Sequence, residues 1–273
     1  MNDYLPKVKI VRGKKRGKIV AVFSGIHGNE RAGVLAVKEL MKEIKIDAGT
    51  LYLVIANPLA LEKNKRFLEK NLNRRFLKGN KGRALEDKIA RKLMKILDDC
   101  DALLDLHAFS DPKGKPFAIC GTGDSKLASI FDVDLISYGW NDLEPGATDG
   151  YMENLKKPAV CLECGPIPKA EEYKDFAKRQ VLKFLTHFGL KDGRKPEAKI
   201  KKIIRVFRVF KAETNNFTFS KEYRNFEMLP AGRVFATDGE KKIRARKNEC
   251  IIFPRKNQAI GAEACLLGKI VKK

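Results

Sequence analysis

The first two thirds of the chain alternate short apolar runs with segments of helical periodicity, and this alternation limits the fold most strongly. Four largely apolar runs occupy residues 18–23, 51–57, 102–107 and 159–164. Runs of this kind are typical of strands that are buried on both faces of a sheet. Apolar residues recur at helical spacing within residues 34–44, 85–97 and 173–185. The pattern predicts an α/β fold with a mainly parallel or mixed sheet flanked by helices.

The alternation ends at residues 191–197, a charged stretch that contains glycine and proline. Beyond it, β-type runs lie at residues 203–210, 233–238 and 249–254, with turn signals between them. A series of short strands separated by turns is typical of an all-β unit. We therefore predict two domains, an α/β domain over residues 1–196 and a smaller β-rich domain over residues 197–273.

Composition and cysteine use narrow the class of protein. With 44% hydrophobic residues in 273, the chain is not mainly disordered. No apolar run approaches the roughly 20 residues that span a bilayer, and charges and Pro6 interrupt the N-terminal region where a signal peptide needs an apolar stretch. Six cysteines in a chain of this length do not form the framework of a small secreted protein. We expect a cytoplasmic protein with no membrane partner.

The chain is strongly basic, with 56 Lys and Arg against 34 Asp and Glu and a net charge of +22. The surplus is densest near residues 199–202 and 241–247. Such clusters can follow a phosphate backbone. No recognisable nucleic-acid module accompanies them, and we expect a solvated basic surface rather than nucleic-acid binding. A positive field can also steer small anionic substrates toward a cleft.

Two of the three histidines stand at the ends of predicted strands. His27 follows the run at 18–23, and His107 ends the run at 102–107. Ligands of open α/β sheets bind at the carboxyl ends of the strands, and histidine is the commonest metal ligand. These positions indicate a ligand site at this edge of the sheet.

Glu30 lies three residues after His27, and a helix that begins near Asn29 would put both side chains on one side of a turn. With His107 they would form a His₂Glu zinc site, one ion per chain, that keeps a position open for water. Asp105 projects from the same strand face as His107 and is placed to orient it. A loop histidine beside a helix-starting glutamate is the alternative interpretation of the His27–Glu30 spacing.

A hydrolytic site also needs a proton-transfer group and substrate contacts. Glu163 stands near the end of a buried run, where a carboxylate is costly unless it is paired or functional. It is a candidate proton acceptor, and capping the next turn is the alternative. The polar segment 57–76 is expected to be mostly loop. Its Arg66, Asn73 and Arg74 could hold an anionic substrate, or the loop could simply be solvated.

Four motifs occur in order along the chain, namely FSGIHGNE, NPLALEKNKRFLEKNLNRRF, LDLH and LECGP. Together they resemble the aspartoacylase/succinylglutamate desuccinylase family, which belongs to the zinc carboxypeptidase superfamily. The similarity covers residues 18–168 and continues more weakly into the β-rich tail. It implies a zinc carboxypeptidase-like fold and an enzyme that acts on a small carboxylate-bearing molecule.

The resemblance also implies roles for individual residues. It makes His27, Glu30 and His107 the zinc ligands and Glu163 the general base and acid. By the same resemblance, Arg66 polarises the scissile carbonyl and stabilises the oxyanion, and Asn73 and Arg74 bind the carboxylate of the amino-acid portion.

Two departures from aspartoacylases concern substrate choice. An arginine that precedes the catalytic glutamate in that group helps to hold a second carboxylate, and Glu153 stands at the corresponding place here. A tyrosine of the C-terminal domain also contacts substrate in that group, whereas residues 257–263 contain none. Tyr151 is the candidate replacement. We do not expect N-acetylaspartate to be the natural substrate.

The sequence therefore predicts a zinc-dependent amidohydrolase that cleaves the amide bond of an N-acyl amino acid or a related small carboxylate. A carboxypeptidase-like metallopeptidase with a more open cleft is the first alternative. A non-catalytic basic zinc protein that contacts nucleic acid is the second. The oligomeric state is left open, and a homo-oligomer is compatible with the sequence.

Overall fold

The structure is a computed structural model that describes residues 5–121, 125–199, 201–256 and 258–271. The chain divides into two compact units. Unit 1 comprises Met1–Ile136 and Glu144–Lys201, and unit 2 comprises Ser137–Leu143 and Lys202–Lys273. The sequence-based division after residue 196 does not include Ser137–Leu143 in the second unit.

The strands and helices of both units are as follows. The strands are β1 (Lys7–Arg12), β2 (Lys15–Ser24), β3 (Ala48–Ile55), β4 (Ala102–Phe109), β5 (Phe117–Cys120), β6 (Leu135–Tyr138), β7 (Ala159–Pro166), β8 (Lys202–Lys211), β9 (Phe217–Phe219), β10 (Glu227–Met228), β11 (Val234–Asp238), β12 (Lys241–Arg244), β13 (Glu249–Ile252) and β14 (Glu263–Val271). The α-helices are α1 (Arg31–Glu43), α2 (Pro58–Glu62), α3 (Leu85–Asp99), α4 (Ser125–Ala128), α5 (Trp140–Leu143), α6 (Thr148–Asn154) and α7 (Ala170–His187). Two 3₁₀ turns lie at Leu72–Arg74 and Ile167–Lys169.

A mixed sheet forms the centre of unit 1. Its strands follow the order β1-β3-β2-β4-β7-β5. The inner strands β3, β2, β4 and β7 run parallel, and β1 and β5 pair antiparallel with β3 and β7. All residues of β4 and β7 are buried, which accounts for the continuous apolar runs in the sequence.

Helices cover both faces of this sheet. Leu103 packs in a core cluster with residues of α3, including Ile89 and Leu93. Leu106 points to the opposite face because side chains alternate along a strand, and there it lies against Gly33 of α1. A Cβ on Gly33 would come within 2.5 Å of the Leu106 Cβ, so glycine allows this close packing. The predicted α/β fold class is confirmed.

Unit 2 is rich in β-structure, as the sequence predicts. Strands β8, β14, β13 and β10 are neighbours in antiparallel pairing, and β12, β11 and β9 form a separate three-stranded sheet. Its buried core includes Phe217, Phe235, Ile243, Ile251 and Leu267. The predicted smaller β-rich part of the fold is thus confirmed.

None of the helices in the described part of the chain combines the length and apolar character that crossing a lipid bilayer requires. The fold instead places the carboxyl ends of β2, β4 and β7 side by side in unit 1. The residues that follow or end these three strands form the candidate site.

Candidate active site

Three buried side chains meet at the carboxyl ends of β2 and β4. The Nδ1 atom of His27 lies 2.7 Å from Glu30 Oε1, and the Nδ1 atom of His107 lies 3.0 Å from Glu30 Oε2. Each of the three residues is at most 4% exposed. Their potential ligand atoms all lie within 4.8 Å of one another. The structure therefore brings together the three residues that the sequence predicts as metal ligands.

A turn after β2, rather than a helix, sets the spacing of His27 and Glu30. The N–H of Glu30 donates to the carbonyl of His27 (3.2 Å), and α1 begins at Arg31 with Glu30 as its N-cap residue. The helix start expected near Asn29 thus lies two residues later. Gly28 packs so closely on the chain of α2 that an added Cβ would lie 2.0 Å from the Ala60 carbonyl carbon.

The outer nitrogen of each histidine ring has a fixed oxygen acceptor. His27 Nε2 lies 2.9 Å from Asn71 Oδ1, and His107 Nε2 lies 3.0 Å from Asp105 Oδ2. Asp105 Oδ2 also accepts the hydroxyl hydrogen bond of Thr148 (2.6 Å). Because these oxygens can only accept, the Nε2 atoms carry the hydrogens and the Nδ1 atoms face Glu30. The sequence predicts this role for Asp105, whereas no sequence pattern indicates Asn71 or Thr148.

Burial and neighbouring charges shift the pKa of each group at the centre. Burial lowers the pKa of His27, and the Arg66 guanidinium adds to this effect. Burial opposes ionisation of Glu30, but the two histidines hold its pKa well below its usual range. Burial would likewise lower the pKa of His107, yet the Asp105 carboxylate raises it well above its usual range. In the metal-free centre these shifts favour an ionised Glu30, a neutral His27 ring and a protonated His107 ring.

Glu163 lies in β7 directly beside His107, its partner in the parallel β4–β7 register. The residue is 8% exposed. Its Oε2 atom is buried and has no hydrogen-bond partner within the described ranges. Burial and the nearby Glu30 carboxylate raise the pKa of Glu163 to about 8. A buried carboxyl with a free oxygen beside a candidate metal group is suited to proton transfer.

The donor set fits a divalent metal ion such as zinc. Two imidazole nitrogens and one carboxylate form the His₂Glu combination of catalytic zinc sites. The acceptors on both Nε2 atoms are the outer partners that orient histidine ligands. No further His, Cys, Asp or Glu joins His27, Glu30 and His107 in this group within the described part of the chain, which leaves a coordination position for a non-protein ligand.

The predicted substrate residues lie on the loop between α2 and α3. Arg66 Nη1 donates to Glu30 Oε1 (3.0 Å), so the guanidinium reaches the ligand group while 41% of the side chain stays exposed. Asn73 Oδ1 accepts the N–H of Thr148 (3.3 Å). Arg74 donates to the carbonyl of Asn73 (2.7 Å) and pairs with Glu144. The loop thus joins the ligand group to the start of α6.

The hydrogen bond of Tyr151 lies away from this group, and its role in substrate binding stays a prediction. Its hydroxyl donates to Asp98 Oδ1 (2.6 Å) near the end of α3. That end of α3 directly precedes the first residue of β4, Ala102, and there Asp101 N donates to Ile19 O of β2 (2.6 Å). Tyr151 therefore points toward the amino ends of the strands. Residues 257–263 correspond to the stretch that carries the substrate tyrosine of aspartoacylases. Of these residues, Asn257 lies outside the described part of the chain.

Comparisons with known proteins agree with the fold. The profile of the succinylglutamate desuccinylase/aspartoacylase catalytic domain matches residues 16–187, and that of the AstE/AspA barrel-sandwich hybrid domain matches residues 202–269. These matches define the class of the protein as a deacylase. The chain belongs to the succinylglutamate desuccinylase/aspartoacylase family.

Relatives and solved structures show how far the similarity extends. A succinylglutamate desuccinylase from Vibrio parahaemolyticus is 29% identical over 92% of this chain and 80% of its own length. A succinylglutamate desuccinylase from Shewanella piezotolerans is 26% identical over 93% of this chain and 83% of its own length. The solved structure of succinylglutamate desuccinylase from Vibrio parahaemolyticus covers 100% of this chain and 93% of that one, with 24% identity and a TM-score of 0.79. An ectoine utilization protein from Ruegeria pomeroyi reaches a TM-score of 0.73 at 21% identity, over 96% and 88% of the two chains.

Proposed function

We propose that this protein is a zinc-dependent deacylase that hydrolyses the amide bond of an N-acyl amino acid. The observation that carries the proposal is the convergence of His27, Glu30 and His107 beside the buried carboxyl of Glu163. Family membership supports deacylation as the reaction. The names of the curated relatives make N-succinylglutamate the first substrate to test.

His27, Glu30 and His107 would hold the zinc ion. When bound, zinc supplies Lewis acidity that polarises a carbonyl oxygen and lowers the pKa of water. Asn71 and Asp105 keep the two imidazole rings turned so that Nδ1 faces the centre. This outer support preserves the ligand geometry throughout a catalytic cycle.

Glu163 is the proposed proton carrier. In its ionised form Glu163 takes a proton from the attacking water and later delivers it to the leaving nitrogen. The unpartnered Oε2 atom is the oxygen available for this exchange. No net change in the protonation of Glu163 remains after the amine has left.

Cationic and amide groups of the loop would bind the substrate. Arg66 stabilises negative charge that develops on the carbonyl oxygen, an electrostatic role with a large effect on rate. Asn73 has its amide oxygen engaged by the N–H of Thr148, which turns the amide nitrogen into the free donor for a carboxylate. Arg74 would exchange or share its pairing with Glu144 when a carboxylate binds.

The proposal is tested with wild-type protein and a Glu163→Gln variant, both loaded with one equivalent of zinc. The assay covers N-succinyl, N-acetyl and longer N-acyl amino acids. We expect hydrolysis by the wild type and a fall in kcat of about 10²–10⁴-fold in the variant, with unchanged zinc content. Near-normal turnover by the variant with zinc still bound would contradict the role of Glu163.

Short peptides in the same panel test the metallopeptidase alternative, because only a more open cleft admits them. Inactivity of the zinc-loaded wild type on the whole panel would contradict the deacylase proposal itself. A cytoplasmic location, the lack of nucleic-acid binding and the oligomeric state stay predictions from the sequence.

A further inference from the structure

The loop that carries the proposed substrate contacts has little regular structure. All residues between Glu62 and Leu85 are described, and they contain one 3₁₀ turn, Leu72–Arg74, as their only helix or strand. Residues 63–75 hold six Lys or Arg and one acidic residue. Charged segments of one sign repel themselves and extend. This loop therefore needs fixed partners elsewhere in the fold to keep one conformation.

Glu86, in the first turn of α3, provides such a partner. Its carboxylate accepts the backbone N–H groups of Leu68 (2.8 Å), Glu69 (3.3 Å) and Lys70 (3.0 Å). The Asn57 side chain donates to it as well (3.4 Å). Glu86 is fully buried. Three consecutive backbone N–H groups of an irregular loop thus donate hydrogen bonds to one buried carboxylate.

The contact is reciprocated at the start of the helix. Glu69 Oε2 accepts the N–H of Leu85 (2.9 Å), so loop and helix are tied in both directions. A buried carboxylate is costly unless its oxygens are hydrogen-bonded. The loop conformation that satisfies Glu86 is therefore strongly favoured over others.

Functional groups flank this tied segment on both sides. Arg66 precedes it by two residues and reaches Glu30 (3.0 Å). Asn71 follows it directly, and its Oδ1 atom holds both His27 Nε2 (2.9 Å) and the N–H of Asn73 (3.0 Å). A shift of the tied backbone would move these side chains together.

We propose that Glu86 is the positioning residue of the substrate loop, whose carboxylate fixes the backbone of residues 68–70 and thereby the reach of Arg66 and Asn73 toward the substrate. Its effect on the loop is independent of the reaction. Its effect on substrate affinity rests on the proposed function. The two effects are measured separately.

The first experiment is hydrogen–deuterium exchange of the full chain. We expect residues 68–70 to be protected in the wild type although they lie outside helices and strands. Glu86→Gln keeps the side-chain size but replaces one acceptor oxygen by a donor, and we expect exchange there to rise about tenfold or more. Asp101→Asn is the matched control. It alters a carboxylate that accepts the N–H of Ile19 (2.8 Å), and it should leave residues 68–70 unchanged.

The second experiment separates KM from kcat with an N-acyl amino acid that the wild type hydrolyses. We expect Glu86→Gln to raise KM at least about fivefold because Asn73 binds the substrate in the ground state and transition state alike. We also expect kcat to fall by about threefold or more because Arg66 stabilises charge that develops only in the transition state. A residue that only stabilises the fold would lower the active fraction and hence kcat, with KM unchanged. Glu86→Asp keeps the charge on a shorter side chain and should give smaller effects in the same direction.

Unprotected amides at 68–70 in the wild type, or equal exchange in the wild type and Glu86→Gln, would overturn the structural part of the proposal. Faster exchange with an unchanged KM would overturn the positioning role. If Glu86→Gln does not fold, Glu86→Asp decides both parts by the same criteria. An inactive wild type would contradict the proposed function, and the exchange measurement would still decide the role of Glu86 in the loop.

Discussion

Thr148 connects the predicted metal ligands to the predicted substrate residues. Its hydroxyl donates to Asp105 Oδ2 (2.6 Å), which also bonds to the His107 ring. Its backbone N–H donates to Asn73 Oδ1 (3.3 Å). The side chain of Thr148 therefore supports the predicted ligand His107 through Asp105, whereas its backbone N–H fixes the amide of Asn73, a proposed substrate contact. A substitution can separate these two contributions because it alters only the side chain.

Thr148→Val keeps the shape and the backbone N–H but removes the hydroxyl. Asp105 then loses one of its donors in a buried position, and we expect zinc affinity to fall about tenfold, at the low end of the effect of outer partners. KM should change little because the contact to Asn73 remains. Competition with a chromogenic chelator measures the affinity. Thr148→Ser keeps the hydroxyl, and this control should bind zinc like the wild type. A zinc affinity of Thr148→Val equal to that of the wild type would refute the role of the hydroxyl.

At the scale of elements, the turn between β2 and α1 depends on close contact with α2. Gly28 stands between two of the predicted ligands, and its N–H donates to the carbonyl of Arg66 (3.2 Å). An alanine Cβ there would lie 2.0 Å from the backbone at Ala60. The backbone of α2 cannot give way as a flexible side chain could. The turn and the loop that bears Arg66 are therefore held together at this glycine.

We expect Gly28→Ala to push the turn away from α2 and to separate His27 from Glu30. The cost in the free energy of unfolding should be about 1–3 kcal/mol, the range for overpacking. Zinc affinity should fall more than tenfold. Denaturant unfolding and zinc titration test these effects. In the comparison variant Gly189→Ala an added Cβ meets no neighbour, and the positive φ of Gly189, which Gly28 lacks, makes any loss of stability there a matter of backbone strain alone. Wild-type zinc affinity in Gly28→Ala would contradict the close contact.

The sequence revealed the long elements because burial leaves a pattern in them. The runs in β2, β3, β4 and β7 are continuous and apolar, and α1, α3 and α7 repeat at helical spacing. The strand β5 has four residues and α6 has seven, too few for a clear period. No local pattern in the sequence shows that the hydroxyl of Tyr151 donates to Asp98.

Part of the candidate site could be predicted because its residues stand next to the buried strands. Histidines at the ends of apolar runs stand out, so His27 and His107 could be predicted as neighbours. Asn71 and Thr148 could not, because they look like ordinary loop and helix-start residues. They reach their partners over 44 and 43 positions of sequence. Such contacts depend on the order of strands and on loop paths that local patterns do not encode.

At the scale of the whole molecule, the net charge of +22 bears on substrate capture. A positive field raises the encounter rate of anions, and salt screens it over about 10 Å at 0.1 M. We expect kcat/KM for N-succinylglutamate to fall at least about threefold between 20 and 200 mM NaCl. An ester of N-succinylglutamate, which carries fewer negative charges, is the control substrate. The same salt dependence for both substrates would show that long-range attraction does not contribute.

The proposed activity depends above all on one zinc ion held by His27, Glu30 and His107. Diffraction from crystals of the zinc-loaded protein, recorded on both sides of the zinc absorption edge, tests this directly. We predict one anomalous peak per chain, about 2.0–2.2 Å from Nδ1 of each histidine and from a Glu30 oxygen, with no fourth protein ligand. A peak elsewhere, or a fourth side chain that closes the coordination shell, would contradict the account.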